Sequence, residues 1–441
     1  MEKGSIKNLK DKIHGLNTIE VTGKVLSASG IKITGKVPDG RLGDFVEIIP
    51  QGSNIPVYAE ITGFEEKRAI LMPLGNIEGI GPGDKLVKKH SGIRIPCSEK
   101  LTGRVLDALG KPMDGKPLPP DIHWENISNK SPSPLLRERI TSPLQTGIRV
   151  IDGLLTIGIG QRIGLFAGSG VGKSTLLGQI AKYAEADAII VALVGERGRE
   201  VREFIEDCLG EKGMQKSIII CSTSDSPAIC RYKAVLTATT IGEWFRERGG
   251  NVLLLVDSIT RMARALREIG LASGETPARR GFPPSVFSTL PQILERAGNS
   301  AKGKMTAIYT ILVEGGDMDE PVADEVRGIL DGHIVLDRKI AERGMFPAID
   351  VLTSISRVMG NIISEKHKKA SQWLKSILSI YEQNRDLISL GAYKKGSDPQ
   401  IDSAIKWISE IEKFLRQDKD EFSPFDKTIE NLLSLKQRAG A

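Results

Sequence analysis

The stretch AGSGVGKST at residues 167–175 limits what this chain can fold into more than any other feature. An apolar run, RIGLFAG, leads into it, and a helical pattern opens near Lys173. The segment therefore reads as strand, glycine-rich loop and helix, the opening unit of a parallel α/β sheet. Gly168, Gly170 and Gly172 let successive backbone amides curl around phosphate, and the helix N-terminus adds a favourable dipole. Lys173 stands where an ammonium reaches the β and γ phosphates of ATP, and Ser174 where a hydroxyl ligates Mg²⁺. Ser169, Val171 and Thr175 belong to the same nucleotide-binding run. A turn needing glycine only for its shape would not also place lysine and serine at these two positions. Ala167 departs from the strict pattern, which has glycine first, so that position must accept a Cβ.

Two further apolar runs end in carboxylates. NVLLLVDSITR delivers Asp257 to the carboxyl end of a strand, where beside the loop it can hold the Mg²⁺ shell, usually through water. Alone, such an aspartate is a common turn former. AIIVALVGERGRE delivers Glu196 to the same edge. A carboxylate on a neighbouring strand can orient or deprotonate water opposite the leaving phosphate. Taken by itself, the segment equally suits a glutamate decorating the N-terminus of the next helix; the position on the sheet favours the water.

Elsewhere the pattern divides the chain. Residues 18–90 carry short alternating runs broken by Gly, Pro and Asn, which read as strands closing into a small β-barrel. Residues 91–360 form the nucleotide-binding domain, with a strap at 110–144 whose prolines, from Pro112 to Pro134, favour extended chain. Within this domain RIGLFAG, AIIVALVGE, SIIICS, NVLLLVD, MTAIYTILVE and GHIVLD alternate with helical patterns, as parallel strands with helical crossovers do. In residues 361–441, Ala370, Trp373, Leu374, Ile377, Leu378 and Tyr381 recur at helical spacing, as do Ile401, Ala404, Ile405 and Ile408. Core packing explains both sets.

The excess of 61 basic over 55 acidic residues, net +6, is too mild to imply nucleic acid. Cys97, Cys208, Cys221 and Cys230 form no C-x-x-C pair, so neither zinc nor a disulfide framework is expected. No run reaches the roughly eighteen apolar residues of a membrane span, and the start resembles no signal peptide. These features place the protein in the cytoplasm or peripherally on a membrane. In the N-terminal arm, residues 1–17, Ile6, Leu9, Ile13 and Leu16 would share one helical face among lysines. A frayed, solvated tail is the simpler reading of so short a helix. SGETPARRGFPPS at 273–285 is too rich in Gly and Pro for regular structure.

The segments PLQTGIRVIDGLLTIGIGQRIGLFAGSGVGKS, GERGRE, LLLVDSITR, TLPQILERAG, DGHIVLDRKIAERGMFPAIDVLTSISRVM and GAYKKGSDP together resemble the ATPase of bacterial type III protein export, in its flagellar branch. That family is similar in turn to the catalytic subunit of rotary ATP synthases, and the resemblance runs from about Thr18 to Leu415. It implies an α/β fold with a RecA-like P-loop core and parallel sheet, an N-terminal small β-barrel domain and a C-terminal α-helical domain, assembled as a homohexamer with nucleotide between subunits. By the same resemblance Lys173, Ser174 or Thr175, Glu196 and Asp257 take the roles argued above, with Mg²⁺ as cofactor. Arg197 and Arg261 lie near the γ-phosphate, and Arg357 matches the finger that reaches a neighbour's nucleotide. The implied partners are a central stalk against 273–285, through Arg279 and Arg280, a regulatory ATPase-binding protein, export chaperones with their substrates, and an acidic membrane surface at the inner membrane.

Two departures set the chain apart from the ATP synthase subunit. The tyrosine that stacks on adenine there falls near Lys368, with Phe414 about where a second aromatic is expected, and GAYKKGSDPQID replaces the acidic segment that bears on the rotor. Both argue against a proton-driven synthase. A non-catalytic nucleotide-holding subunit would carry Gln in place of Glu196. A hexameric RNA translocase would interleave aromatic and basic residues in its N-terminal domain, which this chain does not. The ATPase of a virulence injectisome shares most of the motifs and is the nearest alternative.

Overall fold

The computed structural model describes residues 21–52 and 55–440, so the N-terminal arm lies outside the described residues. Two compact units result: the chain up to Ile93 with Leu271–Glu275, and Arg94–Gly270 with Thr276–Ala441.

The first unit is a closed barrel of β1 (Thr22–Ser29), β2 (Lys32–Lys36), β3 (Asp44–Ile49), β4 (Val57–Glu65), β5 (Arg68–Pro73) and β6 (Lys85–Ser91), in the order β1-β2-β5-β4-β3-β6. Alternation along the strands turns Val25, Ile33, Val46, Ile48, Ile61, Leu71 and Leu86 inward, each no more than 1% exposed. Closure leaves no strand edge unpaired. The inward Asp44 is not stranded, because it accepts from the Arg41 amide and pairs with Lys88 at 2.7 Å.

The second unit is built on an eight-stranded sheet. Its strands are β8 (Val105–Asp107), β10 (Arg162–Ala167), β11 (Ala188–Glu196), β12 (Ser217–Thr223), β13 (Asn251–Asp257), β14 (Lys304–Leu312), β15 (Gly332–Leu336) and β16 (Ile349–Ser356). They lie in the order β16-β15-β10-β14-β13-β11-β12-β8. Every residue of β11 is buried, as a strand covered by helices on both faces requires. The six runs singled out from the sequence are the six central strands. The two edges come from elsewhere: β8 pairs parallel with β12, and β16 pairs antiparallel with β15.

Within the proline-rich strap, β9 (His123–Asn126) pairs with β7 (Arg94–Cys97), and the rest is mostly irregular. Arg296, 2% exposed, anchors the strap by donating to the Ile127 carbonyl at 3.0 Å while pairing with Glu243 at 2.7 Å.

The helices that position the site are α1 (Arg149–Leu154), α2 (Lys173–Tyr183), α3 (Gly198–Glu203), α4 (Ala228–Arg246) and α5 (Ile259–Ala272); α6 (Glu365–Ser389), α7 (Pro399–Leu415) and α8 (Phe425–Arg438) close the chain. The last three share one hydrophobic cluster with the sheet and α1. His367 of α6, 2% exposed, bonds the Gly153 carbonyl of α1 at 2.8 Å. Ala370, Leu374 and Ile377 are buried as expected, with Trp373, Leu378 and Tyr381 packed partly buried against them. On α7 the buried face is Ala404, Ile411, Phe414 and Leu415, which leaves Ile405 37% exposed.

Candidate active site

The phosphate loop opens where β10 ends. Ala167 is fully buried between Leu312 of β14 and Leu336 of β15, so its methyl group belongs to the core and a Cβ is no burden there. The turn itself falls at Gly170 and Gly172, with φ of 77° and 88°, in the left-handed region that glycine enters freely. Gly172 caps α2 without a side chain, so no cap occupies the first-turn amides of the helix. Those amides point at whatever the loop encloses, and an anion suits them.

Strand order then determines which side chains meet. β14 lies between β10 and β13, and β11 lies beyond β13, so the carboxyl ends of four strands stand side by side. Asp257 ends β13 at 2% exposure, and Glu196 ends β11 at 7%. The Lys173 ammonium donates to Asp257 Oδ1 and lies 3.7 Å from Glu196 Oε1. Arg261, one turn beyond Asp257, donates to Glu196 Oε2 at 3.0 Å and to the Gly195 carbonyl. Thr310 of β14 donates its hydroxyl to Asp257 Oδ1 at 2.8 Å. Four of the expected residues, Lys173, Glu196, Asp257 and Arg261, thus form one cluster behind the loop.

Burial, and then the negative charge of Asp257, push the Glu196 carboxyl up to about 7, with Lys173 and Arg261 opposing the rise. A carboxyl titrating there can exchange a proton with water near neutral pH. The hydroxyl of Ser174, in the first turn of α2, and the carboxylate of Asp257 are hard oxygen donors that fit Mg²⁺, which keeps most of its waters.

Arg197 and Arg357 stand apart from the cluster. Arg197 is 74% exposed and pairs with Glu200 at 2.9 Å. Arg357 follows β16, whose antiparallel register sets Ser356 opposite Gly332, whereas Ala167 lies opposite Leu336. Its amide donates to the Asp331 carbonyl at 3.0 Å, at the sheet edge remote from the loop. At ~3.3 Å per residue the offset is roughly 16 Å along the strands, beyond the reach of an arginine toward its own Lys173.

The aromatic assignments change. Phe414 is 8% exposed and packs in the core, where a Cβ on Gly153 would come within 3.2 Å of its ring, so it is not a surface for a base. Lys368 sits in the first turn of α6 beside Glu365. The aromatic next to the loop is Phe346, 45% exposed, whose ring lies 3.6 Å from where a Gly172 Cβ would stand. With Thr175, Gln179, Pro347, Gln417 and Lys419 it lines a cavity of about 320 Å³. Phe346 lies in the MFPAIDVL segment, and an aromatic before proline in a loop was the available clue. Thr310, by contrast, looks like any threonine within a buried strand. A larger cavity of about 880 Å³ opens on the other flank of the loop, but none of Lys173, Glu196 and Asp257 lines it.

Comparison with known proteins identifies the family. Residues 147–356 match the ATP synthase alpha/beta family, nucleotide-binding domain, and residues 363–434 match the T3SS EscN ATPase C-terminal domain. The chain is 48% identical to a flagellum-specific ATP synthase of Bacillus subtilis (strain 168), covering 97% of this chain and 98% of that one. It is 45% identical to a type 3 secretion system ATPase of Xanthomonas euvesicatoria, over 95% and 93%. Among solved structures, the assembled ATPase EscN of the enteropathogenic E. coli type III secretion system superimposes with a TM-score of 0.89 at 46% identity, covering 94% of this chain and 99% of that one. The same ATPase in complex with its central stalk EscO gives 0.86, at the same identity and coverage.

Proposed function

This chain belongs to the ATP synthase alpha/beta family, among the ATPases of type III protein export, and from that premise we propose that it hydrolyses MgATP as a homohexameric ring to energise flagellar protein export. The observation that carries the chemistry is Glu196, buried at the end of β11 and 3.7 Å from the loop lysine. Nucleotide draws Lys173 away from Asp257 to the β and γ phosphates, while the free amides of α2 hold the phosphate chain. Ser174 and Asp257 hold Mg²⁺, which when bound neutralises charge on the phosphates. Glu196, kept in place by Arg261, orients the attacking water and accepts its proton. Phe346 offers a face to the base. Arg357, remote from its own loop, serves the nucleotide of the neighbouring subunit, and Arg197, directly after Glu196, stands exposed at the loop end of the sheet.

The segments MFPAIDVL and GAYKKGSDP, together with the 48% identical flagellum-specific relative, support the flagellar branch. The injectisome relatives support the second reading, the ATPase of a virulence secretion system. Partners on the first reading are a central stalk, a regulatory ATPase-binding protein and chaperone–substrate complexes. The site of action is the cytoplasmic face of the inner membrane, with peripheral contact; among the described residues no helix is long and apolar enough to cross it.

Purified chain should hydrolyse MgATP. Lys173→Ala should lose both nucleotide binding and turnover, whereas Glu196→Gln should keep nucleotide and lose on the order of 10² to 10⁴ in rate. A glutamine variant turning over like the parent removes Glu196 from this role. Deleting the gene should abolish motility; loss of effector secretion with motility intact selects the injectisome reading instead.

A further inference from the structure

The hydroxyl of Thr310 has no packing reason to be where it is. Thr310 is fully buried on the central strand β14, in the run AIYTIL, with Leu165 of β10 opposite in register. Valine has the same branched shape and would fill the same space. A buried hydroxyl needs an acceptor, and this one meets Asp257 Oδ1 at 2.8 Å, the atom that Lys173 also contacts.

The two donors on Oδ1 differ in what they do next. Lys173 sits on the loop and is the group that phosphate recruits, so its bond to Asp257 belongs to the nucleotide-free state. Thr310 sits near the carboxyl end of β14, opposite Leu165 of β10 and one residue beyond the Val256–Tyr309 pair with β13, and its branched side chain has little rotamer freedom. When Lys173 turns to the phosphates, the Thr310 hydroxyl is a donor that stays with Asp257. We propose that Thr310 is a positioning residue: its hydroxyl fixes one oxygen of Asp257 so that the carboxylate keeps its orientation toward the Mg²⁺ shell after the lysine has left. The proposal rests on the reading of Asp257 as the carboxylate of that shell.

The test uses the full chain in four forms: parent, Thr310→Val, Thr310→Ser and Asp257→Asn. A fluorescent ADP analogue is titrated at equilibrium without Mg²⁺ and then at rising Mg²⁺, so that the readout does not depend on turnover; thermal melting without nucleotide checks folding. Thr310→Val should melt near the parent, bind the analogue normally without Mg²⁺, and need on the order of tenfold more Mg²⁺ for the same gain in binding, as loss of a charge-assisted hydrogen bond implies. Thr310→Ser, which keeps the donor, should return the Mg²⁺ response to the parental range. At saturating Mg²⁺ the valine chain should recover the parental KM for ATP while kcat stays reduced. A purely structural threonine would lower the melting temperature and leave the Mg²⁺ titration unmoved, which overturns the proposal. If Asp257→Asn shifts the titration and Thr310→Val does not, Thr310 alone is removed. If Asp257→Asn also leaves it unmoved, the assignment of Asp257 fails and takes the proposal with it. Should the valine chain prove unstable, Thr310→Ala carries the same expectation.

Discussion

Burial and the charge of Asp257 hold a proton on Glu196 up to about pH 7, while Lys173 at 3.7 Å and Arg261 at 3.0 Å favour its loss. Only the ionised form can accept a proton from water. The kcat/KM for MgATP, which reports the free enzyme, should therefore fall as pH drops through about 7, by about tenfold per unit below the midpoint. The sign for stability is opposite. The folded protein holds this proton more tightly than the unfolded chain, so nucleotide-free protein should lose stability as pH rises from the ordinary glutamate value of 4.5 to about 7. Glu196→Gln should remove that component of the melting profile. An activity limb centred in the ordinary carboxylate range would show that the free enzyme does not protonate Glu196 near neutrality. At this scale the sequence was most informative where spacing is covalent. Gly168 to Ser174 occupy one loop and one helical turn, so their roles follow from their order. Phe414 and Phe346 depended instead on how a distant segment packs: one ring fills the gap over Gly153, the other stands at the loop. The proline after Phe346 was the one local clue that separates the two.

The central strands were legible because burial on both faces leaves an apolar run that almost nothing else produces, as in the wholly buried β11. The edges were not. β8 has three residues, and β16 exposes Leu352, Thr353 and Ile355, so its run IDVLTSIS carries neither a continuous nor an alternating pattern. The segment 273–285 shows the same limit for a loop. Its Gly and Pro content forbade long regular elements, and the structure adds a short 3₁₀ turn at Arg279–Gly281 before a helix opens at Pro284. The sequence could not show that its arginines already have partners: Arg280 pairs with Asp317 at 3.0 Å, and Arg279 lies 3.7 Å from Asp324 and 3.9 Å from Glu325. An acidic stalk would have to compete with these carboxylates. Both arginines are more than half exposed, so each pair contributes ~0–1 kcal/mol and exchange is cheap. Reversing both to Glu should leave basal hydrolysis and melting temperature nearly unchanged and abolish stimulation by an acidic stalk protein. Stimulation of the reversed chain equal to that of the parent would place the stalk contact elsewhere.

For the molecule as a whole, the antiparallel turn of β16 is the decisive feature, because it carries Arg357 to the end of the sheet opposite Lys173. Within one chain this exposed arginine has no route to the γ-phosphate, so a catalytic Arg357 requires that the active site be shared around a ring. In phosphoryl transfer the negative charge spreads over the equatorial oxygens, and an arginine supplied in trans contributes on the order of 10³ to 10⁵ in rate. Arg357→Ala protein should accordingly bind nucleotide through its own Lys173 and Asp257 and be nearly inactive. Glu196→Gln protein should be inactive for the complementary reason. In a ring each head-to-tail interface joins the Glu196 side of one subunit to the Arg357 side of the next. Equal, random mixing of the two inactive chains therefore makes about one quarter of the interfaces intact in both groups. That fraction is the ceiling on recovered hydrolysis if sites act independently. Recovery should grow with protein concentration, as assembly demands. It should vanish when both substitutions are placed in the same chain and mixed with either single variant, since no interface can then regain both groups. A mixture no more active than its separate components, with mixed hexamers present by sizing, would take Arg357 out of the reaction and leave it an exposed arginine at the remote edge of the sheet.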